Sequence, residues 1–530
     1  MSLRSAGRNP PRRSVLTGAA SAILAPLLPG CAHRLSTPTS AASPFTLGVA
    51  SGSPSPDGFV LWTRLAPLPL ASDGRGGMSG AVDIRYEIAT DPQMRTIVRA
   101  GETTADPVYA HAVHLEVGGL RPDRPYWYRF VAKGHASAVG RARTTPAPGA
   151  PASGLRFVFA SCSHWESGWF SAYRHMAHET PDLVLFLGDY IYEYSHRGER
   201  AANLVRRHER EADAISLADY RNRYALYRTD PDLQALHAVA PCLATWDDHE
   251  VHNDYANRWS QDFGVSEREF LRRRAAAYRA FYEHMPLRRS ARPRGPDMRI
   301  FGQTRYGDLA AFNVLDGRQH RSPQPCPTPK SRRGHVDNCA DLLDPNRSML
   351  GPPQEAWLQD RFRRSGTRWT IMAQNLLVAR LEQAAPNGDL GHFTDGWDGY
   401  QANRTRMLDG LAASGARNPV FLAGDIHSSW ANDLKADFRN PNSGTIASEF
   451  VAPGVTADSP RAAAFKDVQV RNPHIRFVDL KAHGYVSVDL KPSHMETAFR
   501  AISDRRDQLA TVSTLRRFVV EDGRAGLIPV

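Results

Sequence analysis

Four short apolar runs in this chain each stop at residues able to hold a metal ion. LRFVFASCS ends at Cys162, PDLVLFLGDYIY at Asp189 and Tyr192, CLATWDDHE at Asp247, Asp248 and His249, and NPVFLAGDIH at Asp425 and His427. Runs this short, rich in β-branched and aromatic residues, read as strands buried on both faces. In layered α/β domains ligands bind just past the carboxyl ends of such strands. The runs therefore predict an α/β domain whose separate loops deliver thiol, carboxylate, phenol and imidazole to one crevice.

A chain of 530 residues is too long for one ordinary core and suggests two or three domains. Its 42% hydrophobic and 23% charged content is that of a folded globular protein. The net charge of +11 comes from arginines spread along the whole length. Such a field favours anionic substrates, but there is no dense basic block and no nucleic-acid-binding module.

The N-terminus carries Arg12-Arg13 ahead of VLTGAASAILAPLLPG, a stretch too short and too broken by proline to span a bilayer. Residues 1–31 thus read as a twin-arginine signal for export of an already folded protein, with the Tat translocase as transient partner. Leu28-Pro29-Gly30-Cys31 also resembles a lipoprotein cleavage box. Cys31 is then either lipidated, the one route to membrane contact, or part of an ordinarily cleaved signal. Either way the mature protein is expected in the periplasm or outside the cell, as a monomer. Of the five cysteines, Cys242 lies in an apolar run and reads as a core thiol. Cys326 and Cys339 bracket a polar loop and are able to pair in an exported protein, a point the sequence leaves open. Cys162 follows a strand and opens a polar turn, which suits a ligand thiolate.

Residues 32–44 form a Ser/Thr/Pro/Ala linker. From 45 to 146 short alternating strands (FVLWTRL, VDIRYEIA, HAVHLEV, YWYRFVA) separated by turn residues predict a small antiparallel β-sandwich, and LRPDRPYWYRF looks like a corner of fibronectin or immunoglobulin-like modules. A Pro/Gly/Ala linker, 147–154, leads into 155–530. There strands alternate with helical stretches such as SGWFSAYRHMAHE, SLADYRNRYALYR and SEREFLRRRAAAYRAFYEHM.

Asp189 is the strongest ligand candidate, since a carboxylate on a loop freed by Gly188 can bridge two cations. Asp182, in the turn before the strand, serves as its control. Tyr192, three residues on, would ionise only near ~10 without help, so its use as a ligand implies a strong Lewis acid, usually ferric iron. One carboxylate of Asp247-Asp248 is expected to ligate, with His249 placed to protonate a leaving group or bind substrate. Asp425 and His427, two apart on an extended segment, face one way. Oxygen donors with one thiolate and one imidazole suit a hard trivalent ion beside one or two Ca²⁺, Mg²⁺ or Mn²⁺. Adjacent cations sharing a carboxylate serve in-line displacement at phosphorus.

The ordered motifs GDYIYEY, TWDDHE, LDGRQHR, DGWDGY and GDIH behind a twin-arginine signal resemble the PhoD family of secreted alkaline phosphatases and phosphodiesterases, in the metallophosphatase superfamily. The resemblance implies a four-layer α/β/β/α catalytic domain. It implies ferric iron at Cys162 and Tyr192, and two Ca²⁺ sharing Asp189, Asp248, Asp425 and His427. Asp248 and Asp425 stand where the superfamily commonly has an amide and an imidazole, which favours calcium. His249, Asn253 and Arg318 are the implied catalytic or phosphate-contacting residues, although Asp316-Gly317-Arg318-Gln319-His320-Arg321 departs from the family's Asp-Thr-Arg and Tyr-Arg pattern. The expected activity is release of phosphate from a monoester by a metal-bound oxide or hydroxide. The alternatives are a phosphodiesterase or phospholipase D acting on phospholipid or teichoic acid diesters, and a non-enzymatic surface binding protein with structural metals.

Overall fold

The strand Leu183–Leu187 shows how the architecture follows from the residues. Val184 and Phe186 face one core while Leu183, Leu185 and Leu187 face another, the period of two of a strand covered on both sides. Its parallel neighbour Leu155–Ala160 divides the same way, with Val158 and Ala160 against Phe157 and Phe159. The computed structural model describes residues 42–530 apart from 386–387, 441 and 460–461. The twin-arginine segment, Cys31 and nearly all of the first linker lie outside the described residues.

Two large sheets organise the chain into a mixed α/β structure. The first has ten strands, and Leu155–Ala160, Leu183–Leu187 and Pro241–Thr245 run parallel at its centre. The C-terminal strands Gly484–Leu490, His494–Ile502 and Val512–Glu521 extend it antiparallel on one side. The second has seven, with Ala310–Val314, Trp369–Ala373, Pro419–Ala423 and Thr445–Val451 parallel. A core of Phe157, Leu185, Phe312, Ile371 and Leu422 joins the facing surfaces of the two.

Helices cover the outer faces. Leu217–Arg228 and Glu267–His284 begin with reciprocal capping boxes, Ser216 with Asp219 and Ser266 with Glu269, which satisfy otherwise unpaired first-turn amides. They bury Tyr220, Tyr224, Phe270 and Phe281 against the first sheet, together with Tyr173 and Met176 of Ser171–His178. Pro352–Arg363 and Gln401–Ala413 pack Leu358, Phe362, Met407 and Leu408 against Met372 and Phe421 of the second. Among the described residues no helix is long and apolar enough to cross a membrane.

The strands expected near the N-terminus form and face one another across Phe59, Leu61, Ile84, Ile88, Tyr128 and Phe130. One of their two sheets does not stand alone. Val49–Ser55 pairs in parallel with Pro241–Thr245, so that Gly58–Arg64 and Ala112–Val117 complete the ten-stranded sheet. Alternation within a strand cannot reveal a ladder to a partner nearly 200 residues away.

Gln401–Ala413 is tied to the loop before it by Arg404, whose guanidinium lies 2.6 Å from Asp398. Burial opposes ionisation of Asp398, but Arg404 and His392 beside it hold its carboxyl well below the usual range. An unfolded Asp titrates near ~3.9. The pair's stabilisation is therefore complete above that pH and is lost as pH falls below it. Asp398→Asn is expected to flatten the acid limb of a stability–pH curve followed by denaturant unfolding; an unchanged acid limb would contradict this.

Candidate metal centre

The four sequence runs end together. Past Leu155–Ala160, Leu183–Leu187 and Pro419–Ala423 the chain turns sharply, and Cys162 (φ 60°), Asp189 (φ 52°), Asp425 (φ 64°) and His427 (φ 55°) all adopt left-handed backbone. Non-glycine residues seldom accept that conformation, and its clustering here marks a site held in place by its surroundings. Two glycines let the loops approach. A Cβ on Gly188 would lie 2.8 Å from the Asp247 amide nitrogen, and one on Gly424 would lie 2.1 Å from Ser161 Oγ.

Tyr192 donates its hydroxyl to Asp189 Oδ2 at 2.9 Å and lies 3.0 Å from His427 Nε2. The other imidazole nitrogen, Nδ1, is 2.8 Å from the Asp458 carbonyl. A carbonyl only accepts, so Nδ1 carries a hydrogen, which leaves Nε2 as the ring nitrogen facing the cluster, the orientation of a metal-ligating histidine. Ligand atoms of Cys162, Asp189 and His427 lie within 4.8 Å of one another, as do those of Asp189, Asp248 and His249, and of Asp247, Asp248 and Asp425. Asp189 thus belongs to two overlapping groups.

Two observations fit this cluster to cations. Asp189 Oδ1 and Asp247 Oδ2 are buried carboxylate oxygens without a hydrogen-bond partner, a costly arrangement unless a positive charge meets them. The donors also suppress one another's ionisation. Burial, then the adjacent Asp189, pushes both the Cys162 thiol and the Tyr192 phenol well up. Burial likewise raises the Asp247 carboxyl well above its usual range and Asp425 to about 6.

Around these donors lies a supporting layer. Glu250 accepts the backbone amides of Asp189, Tyr190 and Asp247, at 3.1, 2.7 and 2.7 Å, locking two loops together. Glu193 receives His249 Nδ1 at 2.8 Å, and the His249 ring stacks on Tyr192 with centroids 4.3 Å apart. Burial disfavours a charged His249, yet Asp248 and Glu193 push its pKa well above that of a free imidazole. Asn375 donates to Asp247 Oδ1 at 2.7 Å.

Six of the sequence candidates therefore converge: Cys162, Asp189, Tyr192, Asp248, Asp425 and His427. His249 and Asn253 sit on the wall of the adjoining cavity, which has a volume of about 790 Å³. The Asn253 side chain is spent on Asp254 and Gln261, at 2.6 and 2.8 Å. Arg318 is not at the cavity surface. It is fully buried and bonded to Asp247, to Asp395 at 2.7 Å and, more distantly, to Asp425 at 3.5 Å. Asp182 lies apart from the cluster, paired with Arg141 and Arg143. Asp395, Glu193, Glu250 and Asn375 were not anticipated. Glu193, Glu250 and Asp395 fall inside the GDYIYEY, TWDDHE and DGWDGY motifs; for Glu193 and Glu250 a carboxylate beside a candidate ligand was the available signal, and for Asp395 only the motif itself.

Comparison with known proteins places this geometry in context. A family model described as PhoD-like phosphatase matches residues 157–499, and one described as PhoD-like phosphatase, N-terminal domain, matches residues 30–146. The chain is 42% identical over 495 residues to alkaline phosphatase D of Bacillus subtilis (strain 168), covering 92% of this chain and 83% of the relative. A solved structure described as the structure of PhoD superposes with a TM-score of 0.86 at 41% identity, covering 93% of each chain.

Proposed function

Because the chain belongs to the PhoD-like phosphatase family and is a phosphoric ester hydrolase, we propose that its centre works with one ferric ion and two calcium ions and releases phosphate from monoesters. The observation that carries this reading is the convergence of Cys162, His427 and four aspartates, with Tyr192 bonded to Asp189 beside His427, around two unpartnered carboxylate oxygens. Cys162 and Tyr192 would hold the iron, as soft and phenolate donors suit a transition metal. Asp189, Asp248, Asp425 and His427 would be shared with calcium. When bound, such cations supply Lewis acidity that activates water and neutralises charge developing at phosphorus.

The chain's own groups have distinct tasks. His249, held at Nδ1 by Glu193, stands on the cavity wall to protonate the leaving oxygen. Glu250 fixes the loops that present Asp189 and Asp247, and Arg318 restrains Asp247 and Asp395 from beneath. The breadth of the cavity favours a second reading, a phosphodiester substrate with an additional arm. Turnover of a chromogenic monoester against its diester distinguishes the two. Membership of an enzyme family sets aside a purely structural, surface-binding role.

We also read residues 45–146 as an N-terminal β-domain and 155–530 as a four-layer α/β/β/α catalytic domain; the boundaries of the two family matches and the three stacked cores support this division. Export as a folded precursor is supported by Arg12-Arg13 and by the Cys326–Cys339 disulfide, a bond that persists in oxidising compartments. Fractionation of expressing cells tests it.

The metal assignment has a direct test. Protein purified without chelator is expected to contain iron and calcium together and to absorb visible light through tyrosinate-to-iron charge transfer. Tyr192→Phe keeps the ring, so stability should fall by only about 1 kcal/mol, while the absorption and most of the turnover disappear. A variant that stays coloured and fully active would remove Tyr192 from the ligand set.

A further inference from the structure

Arg318, the arginine that the resemblance implied for phosphate, and Arg321 of the same motif are both committed elsewhere. Arg318 spends its guanidinium on buried carboxylates. Arg321, equally buried, donates to Asp395 and to the Tyr255 carbonyl, at 2.6 and 2.7 Å. Four other arginines line the cavity: Arg200, Arg333, Arg505 and Arg506. Arg505 is held by the Asp458 carboxylate, the Ser167 carbonyl at 2.9 Å and His483 at 2.7 Å. Arg200 and Arg506 are exposed.

Arg333 differs from all of these. Its side chain is 35% exposed, and one terminal nitrogen pairs with Asp254. Asp254 in turn donates its backbone amide to Asp248 Oδ2 at 2.6 Å. The guanidinium is thus anchored one residue from a candidate metal ligand, with its centre 5.5 Å from the Phe393 ring. Its remaining nitrogens have no protein partner among the described residues.

The segment carrying Arg333 is closed by the Cys326–Cys339 disulfide. Just past Arg333, Gly334 exchanges hydrogen bonds with Thr394, both 2.9 Å. His335–Val336 then pairs antiparallel with Leu390–Phe393. The next residue along that partner segment after Thr394 is Asp395, which grips both buried arginines. A polar loop is fastened here by a covalent link and a short ladder, and its one cavity-facing cation sits at the fastened end.

We propose that Arg333 is the guanidinium that binds the non-bridging phosphoryl oxygens of substrate and product, and that the disulfide-closed loop exists to position it. Asp254 orients one edge of the fork and leaves the other free, the arrangement that suits bidentate recognition of a phosphoryl group. The inference rests on the reading of the neighbouring cluster as the hydrolytic centre.

The test is calorimetric titration of inorganic phosphate into the metal-replete full chain, with kinetics on a monoester alongside. Arg333→Ala is expected to weaken phosphate binding by about 10- to 100-fold, the range for hydrogen bonds to a charged partner, and to lower kcat/KM similarly, with iron and calcium content unchanged. Arg333→Lys, which can keep the pairing with Asp254, should recover part of the affinity because a point charge cannot supply the fork. Joint replacement of Cys326 and Cys339 by Ser should raise KM in the native background and add little to Arg333→Ala, as expected of groups acting through one contact. Phosphate affinity in Arg333→Ala equal to that of the native enzyme overturns the proposal. So does loss of metal from the same variant, since that would make the role structural. Failure of the underlying reading would look different: Asp189→Asn would retain hydrolysis whatever Arg333 did.

Discussion

Asp189→Asn is expected to strip the centre of its metals and to lower turnover on the order of 10³-fold or more, about 4 kcal/mol at the transition state. The side chain belongs to two overlapping ligand groups, and its Oδ1 is buried without a partner. An amide of nearly the same volume fills the space, and the loop remains pinned through the Asp189 amide on Glu250. The fold should therefore survive while the shared negative charge is lost. Asp182→Asn is the internal control. Asp182 is a partly exposed turn residue paired with Arg141 and Arg143, where such pairs contribute about 0–1 kcal/mol to stability. It should leave metal content and rate near native. Elemental analysis with steady-state kinetics decides the matter, and equal effects at the two positions would refute the assignment of Asp189.

Arg318→Ala is expected to produce the largest stability loss of any single change at the site, roughly 3–5 kcal/mol by denaturant unfolding. The guanidinium is fully buried among Asp247, Asp248, Asp395 and Asp425. Its removal leaves Asp247, Asp248 and Asp425 facing one another without this countercharge, while Asp395 keeps only Arg321. Bound cations would replace part of that charge, so the loss should be greater after chelation than in the metal-replete protein. Arg318→Lys keeps the charge but not the planar fork that reaches several acids at once, and should fall between the two. Unchanged stability of the chelated Arg318→Ala protein would mean that the acids are neutral and the pairing incidental. Arg318 lies beneath the candidate ligands, fully buried among their carboxylates and away from the cavity.

Much of this protein was legible before any coordinates. The parallel strands follow from runs such as LVLFL, whose alternate residues enter two cores, and the candidate ligand positions follow from where those runs stop. Both are local properties: period, propensity and the abrupt change from apolar to polar. The capped helices are local in the same sense, with Ser216 and Ser266 each meeting an acidic residue three positions on. What needed the tertiary structure is long-range. The ladder between Val49–Ser55 and Pro241–Thr245 joins strands far apart in the chain, and Arg318 beneath the candidate ligands and Arg333 beside the cavity come from different loops; the pairing of Cys326 with Cys339 is nearer in sequence but was left open by it. The sequence of each loop specifies which groups it carries. Which arginine faces the cavity, and which is consumed by buried acids, depends on how those loops close over the sheet ends, where burial makes every unpaired charge costly.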